Sequence, residues 1–96
     1  MRRKETQRIS DILKQFQKES AYEQKLMENR LIGNWEKLLG SGIANATRKI
    51  YIANRTLFVH VDSPVMRHEL LMIRSQIQDA LNKSVGAEVI DNIIFR

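Results

Sequence analysis

Cysteine is absent from the 96 residues of this chain. Disulfide bonds, thiolate metal sites and cysteine nucleophiles are therefore excluded. Long apolar runs are absent as well, and none approaches the roughly 20 residues that a transmembrane helix needs. The basic start, Met1-Arg2-Arg3-Lys4, leads into polar residues where a signal peptide would have an apolar stretch. We therefore expect a cytoplasmic protein that is neither exported nor membrane-spanning.

Internal repeats, linkers and low-complexity segments are also missing, and the length is that of one small domain. With 43% hydrophobic residues, the chain can bury enough apolar surface to fold. We expect a single domain over residues 9–96, preceded by a flexible basic arm over residues 1–8.

Acidic residues are missing between Glu36 and Asp62, where much of the net charge of +5 is concentrated. Residues 1–8 have a net charge of +3, because a single glutamate stands against Arg2, Arg3, Lys4 and Arg8. Residues 37–61 have a net charge of +4, which comes from Lys37, Arg48, Lys49 and Arg55. This distribution favours a polyanionic partner, first nucleic acid and second an acidic protein or membrane surface. For residues 1–8, a merely solubilising terminus is the alternative.

Apolar residues at helical spacing predict two helices before residue 40. The first is short and amphipathic, with the stripe Ile9, Ile12, Leu13 and Phe16. The second runs from about Tyr22 to Leu39, after a polar joint at Glu19-Ser20, and its buried stripe is Met27, Leu31, Trp35 and Leu38. Gly40-Ser41-Gly42 is expected to end it, because glycine readily adopts the left-handed conformation found after helices.

Alternation with a period of two then predicts a β-hairpin over Thr47–Ala53 and Thr56–Val61. Asn54-Arg55 stands where a two-residue turn belongs, although Arg55 is not the preferred glycine and a longer loop is the alternative. Leu57, Val59 and Val61 are expected to face the core.

A third helix is predicted from Pro64 to about Lys83, because Asp62-Ser63 offers side-chain caps and proline suits the first turn. Gly86 closes this helix, and Glu88–Arg96 is expected to form the last strand. The order α-α-β-β-α-β predicts an α+β fold, in which a three-stranded sheet carries helices on one face and leaves the other available.

Catalytic and metal-binding patterns fail on specific tests. His60 and His68 have no third ligand at a recognised spacing. Asp62, Ser63 and His68 are the residue types of a hydrolytic triad, but the first two are better explained as a helix cap. Gly40-Ser41-Gly42 lacks the lysine of a phosphate loop. We therefore expect no enzyme activity, metal, cofactor or small-molecule substrate.

The outer face of the predicted hairpin combines aromatic and basic side chains. Lys49, Tyr51, Phe58 and His60 would project together, with Arg48 and Arg55 at the strand ends. Aromatic rings can stack on bases while cations contact phosphates, so this face is a candidate for nucleic-acid binding together with the basic arm. Alternatively, Tyr51 and Phe58 form an ordinary cross-strand pair or are covered by the first helix.

The third helix offers a candidate surface for a protein partner. Arg67, Leu71 and Arg74 would share one face of a continuous helix. An ordinary solvated face is the alternative.

An ordered set of features resembles the DciA-type proteins of bacterial DNA replication. Trp35, the Gly40-Ser41-Gly42 turn, Ala44 and Thr47 are similar to that family's tryptophan, glycine and alanine-to-threonine run. Further similar features are Leu57-Phe58-Val59-His60-Val61-Asp62-Ser63-Pro64, Glu69-Leu70, Gly86, Val89 and Ile93-Ile94-Phe95-Arg96. The resemblance spans about residues 9–96.

This resemblance implies a K-homology-like core and a nucleoid-associated accessory that binds the replicative DnaB-type helicase and DNA, promoting helicase loading or activity. Three features depart from the family. Met66 lies near a common tryptophan position, Asn54-Arg55 replaces a common glycine, and many members continue into a C-terminal extension where this sequence ends at Arg96. We expect DNA, single- or double-stranded, to contact the two basic segments. The alternatives are an adaptor for an acidic protein and a K-homology-like RNA-binding module, although the GxxG loop of such modules is absent.

Overall fold

The computed structural model describes residues 2–96, and the side chains of all of these except residues 2–8 and Phe16. Its elements are α1 (Arg2–Leu39), α2 (Ser41–Ala46), β1 (Thr47–Ala53), β2 (Thr56–Val61), α3 (Pro64–Met72), α4 (Arg74–Val85) and β3 (Asn92–Phe95). The predicted α+β class with a three-stranded sheet is confirmed. The K-homology-like character stays a prediction. The side chains assigned to the basic arm, those of Arg2, Arg3, Lys4 and Arg8, lie outside the described residues.

A single long helix, α1, replaces the two helices predicted before residue 40, so the joint at Glu19-Ser20 is wrong. Neither residue is a glycine or a proline, and Gln15 Nε2 donates to Glu19 Oε1 at 3.4 Å across one turn. Polar side chains leave the backbone hydrogen bonds of a helix intact, so polarity alone does not end one. The helix ends where predicted, before Gly40 with its φ of 90°.

The sheet has the order β1-β2-β3, with β1 antiparallel and β3 parallel to the central strand. Both hairpin strands have the predicted bounds. Asn54 and Arg55 have φ values of 50° and 60°, the two positive angles that a type I′ turn requires. The turn therefore contains two residues, and the longer-loop alternative is wrong.

A β-bulge at Arg48 sets the orientation of β1. Thr47 lies opposite Val61 and Lys49 lies opposite His60, so one extra residue is accommodated between these pairs. The bulge lets Thr47 turn toward the interior, where Trp35 Nε1 donates to its Oγ1 at 3.1 Å. That hydroxyl donates in turn to the carbonyl of Ile43 at 2.8 Å, which ties α1, α2 and β1 together.

The core lies between the inner face of the sheet and the helices. Leu57, Val59 and Val61 are buried as predicted, and Trp35 is 3% exposed. The other buried apolar side chains are Leu31, Leu70, Ile77, Leu81, Val89, Ile90 and Ile93. Leu38, predicted to be buried, is 45% exposed, and Leu39 packs against the core in its place.

The helix predicted from Pro64 to Lys83 is interrupted at Ile73, which leaves α3 and α4 as separate helices. The first packs against β2 and β3, whereas the second packs mainly against α1. One straight helix does not follow both surfaces, and no glycine or proline marks the change of direction. Helical spacing on the sequence groups Ile73 with the buried Leu70 and Ile77, but in the structure Ile73 is 43% exposed.

The last strand begins at Asn92, later than the predicted Glu88. Asn82 explains the difference, because its Oδ1 accepts from the amides of Val89 and Ile90 at 3.0 and 3.1 Å. Its Nδ2 donates to the carbonyl of Ile90 at 2.8 Å. The Asn82 side chain therefore makes the hydrogen bonds to Val89 and Ile90 that a neighbouring strand would otherwise make.

Helix α1 extends well past the structure on which it packs. Its 38 residues span about 57 Å at 1.5 Å per residue, and the described chain measures 66 × 22 × 20 Å. Met27 and later residues reach the core, whereas the large apolar side chains that the structure describes before it are exposed: Ile9, Ile12, Leu13, Tyr22 and Leu26. Within residues 2–96, no helix combines the length and apolar content needed to cross a membrane.

Candidate nucleic-acid interface

The outer face of the sheet brings together the aromatic and basic side chains that alternation predicted there. Lys49 pairs with His60 across β1 and β2, and Tyr51 pairs with Phe58. The Tyr51 and Phe58 rings stack with centroids 4.9 Å apart and an interplanar angle of 13°. The His60 ring lies 6.2 Å from the Tyr51 ring, tilted by 36°. We call these four residues, together with Arg96, the outer-face cluster.

Two cations complete this cluster. Lys49 Nζ lies 5.1 Å from the centroid of the Tyr51 ring, and Arg96 Cζ lies 5.0 Å from that of Phe58. Both distances are in the range of cation–π attraction. Arg96 was missing from the predicted set, although Ile94 pairs with Phe58 and a residue two positions later points to the same face. The period of two in the last strand was therefore the signal that could have identified it.

The ring contacts change what the aromatic side chains can do. The Tyr51–Phe58 contact is the cross-strand pair considered as the alternative, and such pairs contribute about 0.5–1.5 kcal/mol beyond their buried area. A nucleobase that stacks on either ring must compete with the other ring and with a cation. The arrangement therefore suits phosphate contact by the cations better than base stacking by the rings.

His60 stands at one end of the cluster and is partly exposed, but its Nε2 is buried without a hydrogen-bond partner among the described residues. No three His, Asp or Glu side chains in this described part of the chain could jointly hold a metal ion. Of the triad residue types, Ser63 caps α3 as predicted, with its Oγ accepting from the Met66 amide at 3.2 Å. Asp62 forms an ion pair instead of a cap.

Arg48 and Arg55, predicted at the ends of the strands, are engaged with nearby acceptors. Arg48 Nε lies 3.0 Å from Asp62 Oδ1, in a surface pair whose side chains are 77% and 55% exposed. Such pairs contribute little to stability, so Arg48 can exchange its carboxylate for a phosphate. Arg55 Nε lies 3.3 Å from Asp91 Oδ2, and its Nη2 donates to the carbonyl of Glu88 at 2.9 Å. Arg55 thus holds its turn against the segment before β3.

The predicted partner stripe is not a continuous helix face. Arg67 and Leu71 lie on α3, but Arg74 begins α4 beyond the interruption at Ile73. Arg67 also turns toward the sheet, where its Nη1 donates to the carbonyl of Val61 at 3.1 Å. Leu71 is 49% exposed, as the stripe required. The geometry expected for the three side chains is therefore wrong, while their role in partner binding stays a prediction.

Comparison with known proteins gives two matches. A family model described as "Dna[CI] antecedent, DciA" matches residues 8–95. The UPF0232 protein of Corynebacterium glutamicum (strain R) is 35% identical over 60 residues, which make up 62% of this chain and 34% of that relative. The aligned region therefore spans about a third of the relative's length.

Proposed function

This chain belongs to the DciA family, whose model spans almost all of it, and we propose on that basis that it is a non-enzymatic accessory of DNA replication. In this proposal it binds DNA and the replicative DnaB-type helicase in the cytoplasm, at the nucleoid, and promotes helicase loading or activity. Membership of the family is consistent with a role in replication, and the helicase and DNA are the partners that the resemblance of the sequence implies.

The observation that carries the DNA-binding part is the outer-face cluster. Every buried strand residue lies on the opposite face of the sheet, namely Leu57, Val59, Val61 and Ile93. The outer face keeps partial exposure and presents Lys49 and Arg96 above two stacked rings. Neither Lys49 nor Arg96 forms an ion pair with a carboxylate of the described residues, whereas Arg48 and Arg55 each do.

This geometry supports a binding mode dominated by phosphates. Lysine and arginine side chains on a sheet can contact successive phosphates of a nucleic-acid backbone, while the paired rings form an apolar surface beneath them. Such contacts carry no direct information about base sequence. We therefore expect binding that depends strongly on salt and weakly on sequence.

The test is fluorescence anisotropy with labelled single-stranded DNA over a series of salt concentrations. We expect log affinity to fall linearly with log salt, and the variant Lys49→Ala plus Arg96→Ala to reduce that slope by about 0.7 for each phosphate that the variant no longer neutralises. Lys25→Ala plus Lys83→Ala is the matched control, because it removes the same charge from exposed sites on α1 and α4 that lie outside both basic segments.

The two double variants separate a local site from a general charge effect. An equal loss of affinity in both would show that only net charge matters and would overturn the outer-face assignment. Absence of binding by the unmodified chain at low salt would overturn the DNA claim itself. In that case, an acidic protein would be the partner to seek.

The helicase part has its own test, a pull-down with the replicative helicase of the same host. We expect the wild-type chain to retain the helicase, and Lys49→Ala plus Arg96→Ala to retain it equally, because DNA and helicase use different surfaces in this proposal. Leu71→Asp tests the predicted partner surface against Ser20→Asp, which introduces the same group at an exposed position of α1. If the wild-type chain forms no complex and does not alter helicase loading, the transfer of function from the family fails.

A further inference from the structure

The projecting part of α1 carries an apolar stripe that no described residue covers. Ile9, Ile12 and Leu13 are 59%, 61% and 56% exposed, and helical spacing places them on one side together with position 16. Most of the stability of a protein helix comes from packing its apolar side against other structure, and the described residues offer nothing for this side to pack on. This stripe therefore indicates a packing partner.

The spacing of the stripe is symmetric. Its residues are separated by three, one and three positions, so a two-fold axis between residues 12 and 13 exchanges Ile9 with Phe16 and Ile12 with Leu13. An isologous interface requires this property, since the same surface must fit itself after a half-turn. Two antiparallel helices in this register overlap over residues 2–23, or about 33 Å.

Charge also favours the antiparallel direction. In this register residues 2–8 of one copy, with a net charge of +3, lie beside residues 17–23 of the other, whose net charge is −1 because Glu19 and Glu23 outnumber Lys18. A parallel pair would place the two basic ends together, and like charges at close range destabilise association. The sequence of α1 is thus complementary to itself in one direction and not in the other.

We propose that the projecting halves of α1 from two copies of this chain pair antiparallel through Ile9, Ile12 and Leu13, in the register set by the spacing of positions 9, 12, 13 and 16. The proposal concerns self-association alone and does not depend on DNA or the helicase. The dimer presents two sheets at opposite ends of a shared helical pair.

The test is the molar mass of the full chain by sedimentation or light scattering, over a wide range of concentrations and without other components. We expect a concentration-dependent dimer. Leu13→Glu should weaken self-association by about tenfold or more, because pairing would enclose an unpartnered carboxylate. Ser10→Glu is the matched control, since it introduces the same group at an exposed position outside the stripe, four residues before Lys14, and should leave the dimer unchanged.

Direction is tested by cross-linking, which the absence of cysteine makes specific. The antiparallel register places position 9 of one copy level with position 16 of the other and about 10 Å along the helix from position 9. It therefore predicts a disulfide in a mixture of Ile9→Cys and Phe16→Cys chains, in excess over either variant alone. Preferential linking of identical variants would indicate a parallel pair and overturn the proposed geometry. A wild-type chain that stays monomeric while circular dichroism shows intact helix would overturn self-association, as would a Leu13→Glu chain that still dimerises.

Discussion

Replacing Asn82 with alanine is expected to lower the free energy of unfolding by about 2–4 kcal/mol. Each buried backbone group left without a hydrogen-bond partner costs about 1–3 kcal/mol, and water that enters the site offsets part of that cost. The Asn82 side chain makes three hydrogen bonds to the backbone of Val89 and Ile90, which are 8% and 1% exposed. Alanine removes all three and leaves the segment before β3 without its support. Denaturant unfolding followed by circular dichroism measures the effect.

Two further substitutions sharpen this prediction. Asn82→Asp keeps the oxygen that accepts from the two amides but places a second acceptor beside the carbonyl of Ile90, so it should also destabilise. Asn45→Ala removes the same side chain from an exposed position on α2 and should change stability little. If Asn82→Ala and Asn45→Ala prove equally mild, the Asn82 hydrogen bonds do not hold this segment in place.

Replacing Trp35 with alanine lowers stability by about 3–5 kcal/mol, the usual cost of truncating a large buried aromatic side chain. The indole is almost fully buried and lies 6.5 Å from the Phe95 ring, between centroids. Trp35→Phe keeps a buried ring and loses the donor to Thr47, so it should cost about 1 kcal/mol from the hydrogen bond. Thermal and urea unfolding of the two variants measure the separate contributions.

Leu38→Ala is the informative control for Trp35. Helical spacing on the sequence places Leu38 in the same buried stripe, but in the structure it is 45% exposed. Truncating it should therefore cost far less than truncating Trp35. A loss comparable with that of Trp35→Ala would mean that α1 packs through the face predicted from the sequence.

Local signals predicted the hairpin because its strands alternate strictly and one face is buried. The same signals could not locate the interruption at Ile73, which follows from α3 and α4 packing on different surfaces. Nor could they show that Asn82 satisfies the backbone of Val89 and Ile90, since β-rich composition alone favours a strand there. Both outcomes depend on contacts between different elements of the fold, which local periodicity does not contain.

For the candidate site, alternation correctly placed Lys49, Tyr51, Phe58 and His60 on one face. Sequence could not show that the two rings stack on each other, because that depends on their rotamers across the strand pair. Sequence also could not show that Arg55 is held by nearby acceptors while Lys49 and Arg96 lie over the aromatic rings. The acceptors of Arg55 lie more than thirty positions away, at Glu88 and Asp91.

The bulge at Arg48 has a second consequence, for solubility. β1 is an edge strand, and an edge with regular unpaired amides and carbonyls can recruit strands from other chains into aggregates. The extra residue interrupts that regularity, and two adjacent cations, Arg48 and Lys49, lie at the same point. The opposite edge, β3, spans Asn92–Phe95 and offers only a short template. The irregularity that turns Thr47 inward thus also discourages sheet-to-sheet growth.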